Sequence, residues 1–497
     1  MTDISKLQFK RKFALNFYKS LRLNLGRMCF SNDFVNSTRG DMYPIIEKTG
    51  AVTESVSDGR YTVCGKENSR VSRFIGGYFP YASYEMEIEK NTGKTGFEFA
   101  GENSNIRIVY DATAKAVKFY ANGEYISEHN IPDFPCKTKL EVSCRINKFD
   151  VYTKGPEATY HKYLCTFTHE CFEDMKYERN FKNTSACVTF ETGGNEGCVT
   201  LSDVCFYLDS GVGTADIRPV RYENGEVLTE DGKVFLTVTL RLQEEMYLGV
   251  LEWLPGTAEF SLCGAIFYDI GDGIWGNDVA ATVVYNRKTR KWNVWYCSFS
   301  HNHILAHCEC DGDVRYGVNV LDTKLMEKLP AGADDKIFLG KEGDEDPNFI
   351  YDEENKKWYM TVCRLANDGS GYKYFLFETE SENPFEGWKY ITNSTSGEET
   401  GGSILKLSDD YFFVCGNGFG LRANYRVYKL PDFENYKELK FDFDDGGFRG
   451  WGTIIPMKKG TRTVYYHLTF DRHLGSNVGY NWSYGNIYCF EGYEPRA

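Results

Sequence analysis

The sequence contains no apolar run approaching the roughly 18 residues that a membrane-spanning helix requires. Its N-terminal region also lacks the apolar segment that is typical of a secretion signal. Positive charge is in deficit, and the formal net charge of −14 argues against nucleic acid or an anionic membrane as the main partner. We therefore expect a cytoplasmic protein that acts on a neutral or small substrate.

The 16 cysteines do not suggest a small disulfide-linked scaffold, because the chain is 497 residues long and they are scattered along it. Several lie inside strand-like apolar runs, as do Cys144, Cys187, Cys297 and Cys363. Cysteine in such a setting behaves as a small hydrophobic residue. We interpret them as buried, reduced thiols, in agreement with a cytoplasmic location.

The length of the chain exceeds what one hydrophobic core usually supports, so at least two domains are expected. Aromatic residues make up 16% of the chain, and aromatic enrichment favours strands. Residues 84–89 and 105–110 alternate between apolar and polar types, and Asn122-Gly123 between two such runs is a strong hairpin signal. This rhythm predicts an antiparallel β-sandwich over residues 31–210, which resembles the concanavalin-like and laminin-G-like jelly rolls.

The first 30 residues are basic and are predicted to form an N-terminal arm or helix. Downstream of the sandwich, one pattern recurs five times between residues 218 and 497. A polar or charged pair precedes an apolar strand, a charged turn follows, and a second strand completes a hairpin. The five copies span residues 227–240, 277–299, 343–363, 398–415 and 449–469. Regular repetition of such hairpins predicts a five-bladed β-propeller, and hence an all-β protein.

The starts of the first strands of the blades should meet at the propeller axis. That geometry predicts one pocket containing the charged residues that open the repeats, namely Asp278, Glu345, Asp346, Glu398 and Arg449. Cleavage of a glycosidic bond needs one carboxylate and one carboxylic acid whose pKa is raised. Neighbouring carboxylates in a poorly solvated pocket raise the pKa of an acid, and three acids adjoin in Asp344-Glu345-Asp346.

The Asn277-Asp278 pair, the Glu345-Asp346-Pro347 opening and the accompanying sandwich resemble the five-bladed β-propeller glycoside hydrolases. These include the arabinofuranosidase/xylosidase, invertase-like and neoagarooligosaccharide hydrolase groups. The resemblance covers residues 218–497 and implies that Glu345 is the general acid. Asp278 is then an orienting, pKa-tuning or basic residue, and Glu398 or Asp346 supplies the remaining carboxylate. The first blade departs from the family pattern: Asp216 precedes it without an Asp-Pro pair, which leaves the base or nucleophile open.

Sugar rings bind to aromatic faces and to polar side chains. The candidates lie beside glycines or at strand ends: Trp275, Asn277, His303, Arg449, Trp451 and His473. The histidines and cysteines of residues 301–310 match no zinc-finger spacing, so we predict no transition-metal site there. No cofactor is expected to be required, although a structural cation on the propeller axis stays open.

We predict a glycosidase that removes terminal sugars from short oligosaccharides. Two alternatives remain open. One is a glycoside phosphorylase on the same scaffold, which the arginines at positions 422, 426 and 472 would suit. The glycine-rich residues 416–420 are followed by a strand-like run rather than by the helix that makes such loops bind phosphate. The other is a propeller that binds carbohydrate without catalysis. The sequence does not specify an oligomeric state.

Overall fold

The computed structural model describes residues 4–16, 43–326, 343–366, 369–395, 397, 399–417, 424–441, 448–471 and 486–493. The described residues form two compact units. One comprises residues 43–209, and the other comprises residues 4–16 together with those from 210 onward. Both units consist almost entirely of antiparallel sheet. None of the described helices has the length and apolarity needed to cross a membrane.

The described chain begins with a 3-10 turn at Ile4–Lys6, followed by strand β1 at Gln8–Asn16. This strand pairs antiparallel with the last strand of the chain, in a register that places Gln8 opposite Tyr493. Lys12 forms an ion pair with Glu491 (2.8 Å), and Phe9 packs against Phe441. Residues 8–16 of the predicted arm or helix are therefore a strand of the second unit.

The unit of residues 43–209 contains two seven-stranded sheets. In spatial order the first sheet is β10-β9-β8-β7-β14-β5-β2, and the second is β13-β12-β11-β6-β15-β4-β3. The strands are β2 (Ile45–Thr49), β3 (Val52–Ser57), β4 (Arg60–Gly65), β5 (Arg70–Gly77), β6 (Ala82–Asn91), β7 (Lys94–Ala100), β8 (Asn105–Asp111), β9 (Ala116–Ala121), β10 (Glu124–Asn130), β11 (Thr138–Cys144), β12 (Lys148–Lys154), β13 (Lys162–Thr168), β14 (Ser185–Glu191) and β15 (Gly197–Leu208). A 3-10 turn (Glu170–Lys176) and the short helix α1 (Glu178–Phe181) precede β14.

Aromatic side chains join the two sheets. Phe99 of β7 stacks on Phe149 of β12, and Phe119 of β9 stacks on Phe167 of β13, with ring centroids 5.7 and 4.9 Å apart. The alternation seen in the sequence therefore directs one face of each sheet into a common aromatic core.

Cys64 and Cys198 form a disulfide between β4 and β15. The interpretation of the cysteines as reduced thiols is wrong for this pair. The two residues are directly opposed in the strand register, and their separation by 134 positions in the chain concealed that proximity.

The second unit contains, within its described residues, five sheets that form the blades of a propeller. The prediction of five blades and of an all-β protein is confirmed. In spatial order the blades are β16-β19-β20-β21-β25, β17-β22-β23-β24-β26, β27-β28-β29-β30, β31-β32-β33-β34 and β35-β36-β37-β1, and β18 pairs with β19 in the first blade.

The strands of the first two blades are β16 (Gly213–Pro219), β17 (Arg221–Tyr222), β18 (Thr229–Glu230), β19 (Lys233–Arg241), β20 (Met246–Trp253), β21 (Phe260–Asp269), β22 (Thr282–Asn286), β23 (Lys291–Ser298), β24 (Ile304–Cys310), β25 (Gly317–Asp322) and β26 (Lys324–Leu325), with a 3-10 turn at Phe299–His301. Those of the last three are β27 (Asp344–Asp352), β28 (Lys357–Leu365), β29 (Tyr372–Thr379), β30 (Lys389–Asn393), β31 (Glu399–Leu407), β32 (Asp410–Asn417), β33 (Asn424–Leu430), β34 (Glu434–Lys440), β35 (Phe448–Lys459), β36 (Arg462–Asp471) and β37 (Asn486–Tyr493).

A bulge interrupts the start of the inner strand in four blades. The register shifts between Ala215 and Arg218, between Glu345 and Asn348, between Thr400 and Ser403, and between Arg449 and Thr453. Within the first three of these bulges the first residue has a left-handed backbone: Asp216 (φ 51°), Asp346 (φ 52°) and Gly401 (φ 64°). Ala280 (φ 57°), just before β22, takes the same conformation in the second blade. A bulge redirects side chains, and here it recurs where the predicted acids lie.

Candidate active site

The recurring bulge divides the acids at the strand starts into two sets. Asp216 and Asp346 are the left-handed residues of their own bulges. Asp278, Asp344 and Glu399 each lie two positions before the left-handed residue of their blade. Glu345 belongs to neither set, because it lies one position before Asp346. The register therefore does not place Asp278 and Glu345 at equivalent positions.

Asp278 is buried, and the turn that follows β23 surrounds its carboxylate with donors. The hydroxyl of Ser298 donates to Oδ2 (3.0 Å), and the backbone N–H of Phe299 donates to Oδ1 (3.0 Å). Burial raises the pKa of Asp278, while hydrogen bonds from Ser298 and Ser300 act in the opposite direction. Asp278 consequently fixes the turn between β23 and β24, which suits an orienting residue better than an attacking one.

Asp344 is 3% exposed and faces a guanidinium from its own blade. Its Oδ1 lies 2.8 Å from Arg364 Nη1. Burial raises the pKa of Asp344 to about 7, with the Arg364 cation opposing that rise.

Glu399 is fully buried at the start of β31 and accepts hydrogen bonds from Arg426 (2.9 Å) and from the hydroxyl of Tyr428, both through Oε1. Burial raises the pKa of Glu399, and hydrogen bonds from Ser394, Tyr428 and Arg426 oppose that effect. Its Oε2 is buried without a hydrogen-bond partner among the described residues. Glu399 is thus a second acid that can carry a proton at the strand starts.

Asp346 joins three blades. Its Oδ1 accepts from Arg218 Nη2 of the first blade (2.7 Å), and its Oδ2 accepts from the backbone N–H of Gly401 in the fourth (2.9 Å). The hydroxyl of Tyr374, in its own blade, lies 3.3 Å from Oδ2. Arg218 also donates to the carbonyl of Ala280 in the second blade (2.5 Å). Arg218 and Asp346 together hold the inner strands of four blades in register.

Asp216 and Glu345 differ from the other acids because they are half-buried, whereas Asp278, Asp344, Asp346 and Glu399 are buried. Asp216 Oδ2 accepts a hydrogen bond from the hydroxyl of Thr239 (2.6 Å). Burial and the charge of Asp346 raise the pKa of Asp216. Among the described acids at the strand starts, these two residues therefore retain the most exposed surface.

The surroundings of Glu345 favour its protonated form. Burial, followed by the negative charges of Asp346, Asp216 and Asp344, raises the pKa of Glu345 to about 8. A neutral carboxyl group therefore stands close to acids that have cationic or hydroxyl partners. Such a pair of unlike carboxyl groups can donate a proton and assist attack at the same centre.

The opposite end of the inner strands is occupied by the segment that follows β16. The backbone carbonyl of Glu223 accepts from Tyr351 N in the third blade (2.6 Å), and Arg221 donates to the carbonyl of Ile404 in the fourth. These contacts lie toward the far ends of β27 and β31 from their acids. The segment that follows β16 therefore reaches the third and fourth blades on the side away from the acids.

Three of the predicted substrate-binding residues are described. Trp275 is half-buried near Phe267 (ring centroids 6.0 Å apart), and the side-chain amide of Asn277 donates to the carbonyl of Met246 (2.8 Å). His303 is half-buried against Phe299, and its carbonyl accepts from Asp344 N (3.0 Å). His303 thus lies beside the acids, whereas Asn277 anchors its own loop.

Four other predicted site residues are only partly described or not described. Glu398 and His473 lie outside the described residues. Arg449 and Trp451 belong to β35, so the structure places their backbone at the start of the fifth inner strand. Their roles in binding or catalysis stay predictions.

The sequence-based selection did not include Asp216, Arg218, Asp344 or Glu399 among the functional residues. Asp216 and Asp346 are alike because each is the left-handed residue of a bulge. No repeat in the sequence indicates where these bulges occur. Glu399 adjoins the selected Glu398, and its own position follows from the register of β31, which the sequence does not show. Arg218 lies within an opening that lacks the expected Asp-Pro pair.

Comparison with known proteins gives structural likeness without sequence relatives. No family model matches the chain, and no curated protein matches it. Among solved structures, levansucrase from Bacillus subtilis overlaps 57% of this chain and 84% of its own, with 10% identity and a TM-score of 0.41. A GH43 β-1,3-galactosidase overlaps 55% of this chain and 93% of its own, with 12% identity and a TM-score of 0.37. A carbohydrate-binding module of the CBM66 type from Bacillus subtilis overlaps 33% of this chain and 94% of its own, with 13% identity and a TM-score of 0.24.

Identities of 10–13% describe likeness of fold and do not identify catalytic residues.

Proposed function

We propose that the protein is a glycoside hydrolase that removes terminal sugars from short oligosaccharides. The observation that carries this proposal is the pair formed by Glu345 and Asp216, the half-buried acids at the starts of the inner strands. Glycoside hydrolysis uses a protonated carboxyl group and a carboxylate. A pKa of about 8 keeps Glu345 protonated at neutral pH, as a general acid requires.

In the proposed mechanism, Glu345 donates its proton to the oxygen that leaves with the rest of the oligosaccharide. Asp216 acts on the opposite side of the sugar, as nucleophile or as the base that activates water. Asp346, which is held by Arg218, fixes the positions of the neighbouring carboxyl groups of Glu345 and Asp216. Its negative charge also favours the positive charge that develops on the sugar ring. The contacts of the Arg221–Glu223 segment with the third and fourth blades, on the side away from the acids, support action on chain ends rather than on the interior of a polymer.

Glu399 is the rival for the role of general acid, because it is buried, its pKa is raised and its Oε2 is unsatisfied among the described residues. The two assignments predict different variants whose turnover rate depends strongly on the leaving group. A general acid is important when the leaving group is poor, as is the hydroxyl oxygen of the next sugar in an oligosaccharide. It matters little for dinitrophenolate, which departs without protonation.

The test measures turnover of oligosaccharides and of matched aryl glycosides by the wild type, Glu345→Gln, Glu399→Gln and Asp216→Asn, with and without phosphate. We expect Glu345→Gln to abolish turnover of oligosaccharides and to retain much of it on dinitrophenyl glycosides. Asp216→Asn should lose turnover on both. Glu354→Gln, at an exposed position of the same blade, is the matched control and should behave as the wild type.

Each alternative has a distinct outcome. Turnover that requires phosphate would replace hydrolysis by phosphorolysis. Loss of oligosaccharide turnover with retained dinitrophenyl turnover in Glu399→Gln, and not in Glu345→Gln, would move the general acid to Glu399. Sugar binding that is unchanged in all variants, without turnover of any substrate, would leave a carbohydrate-binding propeller.

A further inference from the structure

A row of three aromatic side chains crosses the second blade of the propeller. In the strand register Tyr222 of β17 lies beside Tyr285 of β22, and Tyr285 lies opposite Trp292 of β23. The ring centroids along this row are 6.4 and 5.0 Å apart, so the three rings follow one another across one face of the sheet. Tyr285 lies near the end of β22, whereas Asp278 precedes its start. The row therefore occupies the end of the blade away from its acid.

The aromatic row lines a surface cavity of about 460 Å³. Trp292 is buried, whereas both tyrosines are half-buried and pack in part against the core of the first two blades. Tyr222 is also held from outside, because the guanidinium of Arg287 lies 4.6 Å from its ring centroid and pairs with Glu223 (2.8 Å). Small-molecule sites in proteins usually measure about 300–1,000 Å³. The cavity has the size of such a site, and its aromatic faces are fixed before any ligand binds.

The charged groups around these rings fall into a paired set and an unpaired set. Arg315 donates to both carboxylate oxygens of Asp313 (2.9 Å to Oδ1 and 2.7 Å to Oδ2), and its Nη1 donates to Glu230 (2.8 Å). Arg290 and Asp311 also line the cavity, and neither side chain forms a hydrogen bond or an ion pair with the described residues. The cavity thus retains one strong donor and one strong acceptor for a ligand.

The balance of these charges favours a neutral ligand. The lining contains three carboxylates and two guanidinium groups. Arg315 compensates two of the carboxylates, and the remaining two groups carry opposite signs. Neither phosphate nor a simple cation meets a strong excess of opposite charge there. A neutral molecule with several hydroxyl groups can accept from Arg290, donate to Asp311 and lie against the tyrosine rings.

We propose that this cavity is a second carbohydrate-binding site, which holds one sugar of a neutral oligosaccharide. The sugar ring contacts Tyr222 and Tyr285, while its hydroxyl groups bind Arg290 and Asp311. A tyrosine ring provides apolar area with little conformational entropy to lose, which suits it to this role. The site uses neither Glu345 nor Asp216, so binding there does not depend on the proposed glycosidase activity.

The test uses Glu345→Gln as the parent protein, so that bound oligosaccharides are not consumed. The parent is applied to an array of neutral oligosaccharides of glucose, galactose, xylose, arabinose and fructose, together with uronic acid and amino sugar counterparts. Titration calorimetry with each captured oligosaccharide then measures affinity and the number of sites per chain. We expect capture of at least one neutral oligosaccharide and weaker capture of its charged counterparts.

Two further substitutions in this parent locate the site. Tyr285→Leu keeps apolar volume and removes the ring, and Arg290→Gln removes the unpaired donor at an exposed position. Each should remove one site per chain or weaken its affinity by about tenfold or more. Lys288→Gln is the matched control, because Lys288 is an exposed cation of the same turn that does not line the cavity. This variant should bind as the parent does.

The number of sites separates this proposal from the proposed function. If the acids bind no sugar, the parent should show one site, and Tyr285→Leu and Arg290→Gln should still remove it. Three results would overturn the proposal: no capture of any neutral oligosaccharide, sites and affinities in Arg290→Gln equal to those of Lys288→Gln, or stronger capture of the charged counterparts. Because Arg290 is exposed, its variant keeps the test decisive if Tyr285→Leu fails to fold.

Discussion

At the scale of single residues, the ionisation of Glu345 should limit activity in alkaline solution. Its pKa is raised to about 8, so the carboxyl group is protonated below that pH and loses its proton above it. Because a carboxylate cannot protonate the leaving oxygen, kcat/KM for an oligosaccharide should fall as the pH rises through about 8. The measurement is a pH profile of initial rates between pH 5 and 10.

Asp344 provides the control for this profile, because burial raises its pKa to about 7 although its partner is Arg364. Asp344→Asn should keep the alkaline limb. Glu345→Gln, assayed on an aryl glycoside whose turnover by the wild type shows this limb, should lose it. An unchanged limb in Glu345→Gln would assign the ionisation to another group.

The buried ion pair of Arg218 and Asp346 should matter for stability as well as for position. Arg218→Met leaves a buried carboxylate without its cation, which typically costs about 3–5 kcal/mol in the free energy of unfolding. The double variant Arg218→Met/Asp346→Asn should lose less, because no unpaired charge remains. All eight tryptophans lie between residues 253 and 482, so urea denaturation followed by tryptophan fluorescence reports on the propeller unit. Equal losses in the single and double variants would contradict the prediction.

At the scale of elements, the strand starts require a left-handed backbone at one position in each of several blades. This requirement can be tested by replacing alanine with glycine at one such position and glycine with alanine at another. Ala280 has a left-handed backbone, which costs an L-residue about 1–2 kcal/mol, whereas Gly401 adopts the same conformation without a Cβ. Ala280→Gly should therefore preserve or raise the free energy of unfolding. Gly401→Ala should lower it by about 1 kcal/mol or more. The same fluorescence measurement checks both, and a stabilising Gly401→Ala would refute this account.

The bulges also mark the limit of what the sequence could predict. The alternation of strands and turns revealed five blades because each blade repeats the same apolar rhythm. The exact partners of the acids depended on a shift of register that leaves no trace in residue type. Glu399 begins β31, and Asp216 acquires its position from the bulge and not from a motif. Glu345 and Asp346 were selected because they adjoin Pro347, although β27 begins at Asp344, before that proline.

Strand β1 shows the same limit for long-range pairing. Its basic residues suggested an arm or helix, but Phe9, Phe13 and Leu15 alternate with exposed positions and are half-buried in the fifth blade. The pairing partner is β37, at the other end of the sequence. Local patterns cannot reveal an edge strand whose partner is that distant.

At the scale of the whole molecule, the chain enters the propeller at β1, forms the unit of residues 43–209, and returns to the propeller at β16. The fifth blade consequently contains strands from both ends of the chain. Without β1, strand β37 would expose its hydrogen-bonding edge, and Phe9 would no longer cover Phe441. A protein that begins at residue 17 should therefore have a less stable propeller than the full chain, as measured by tryptophan fluorescence in urea.

A synthetic peptide of residues 4–16 separates the loss of this strand from general damage by truncation. Added to the shortened protein, it should restore much of the lost stability, with an effect that saturates as peptide concentration rises, because it binds the folded state. A peptide in which Phe9 and Phe13 are replaced by Asp keeps the length and loses the apolar contacts, so it should restore little. If both peptides act equally, or neither does, then β1 does not close the propeller by the packing described, and the fifth blade is stable with the three strands β35, β36 and β37.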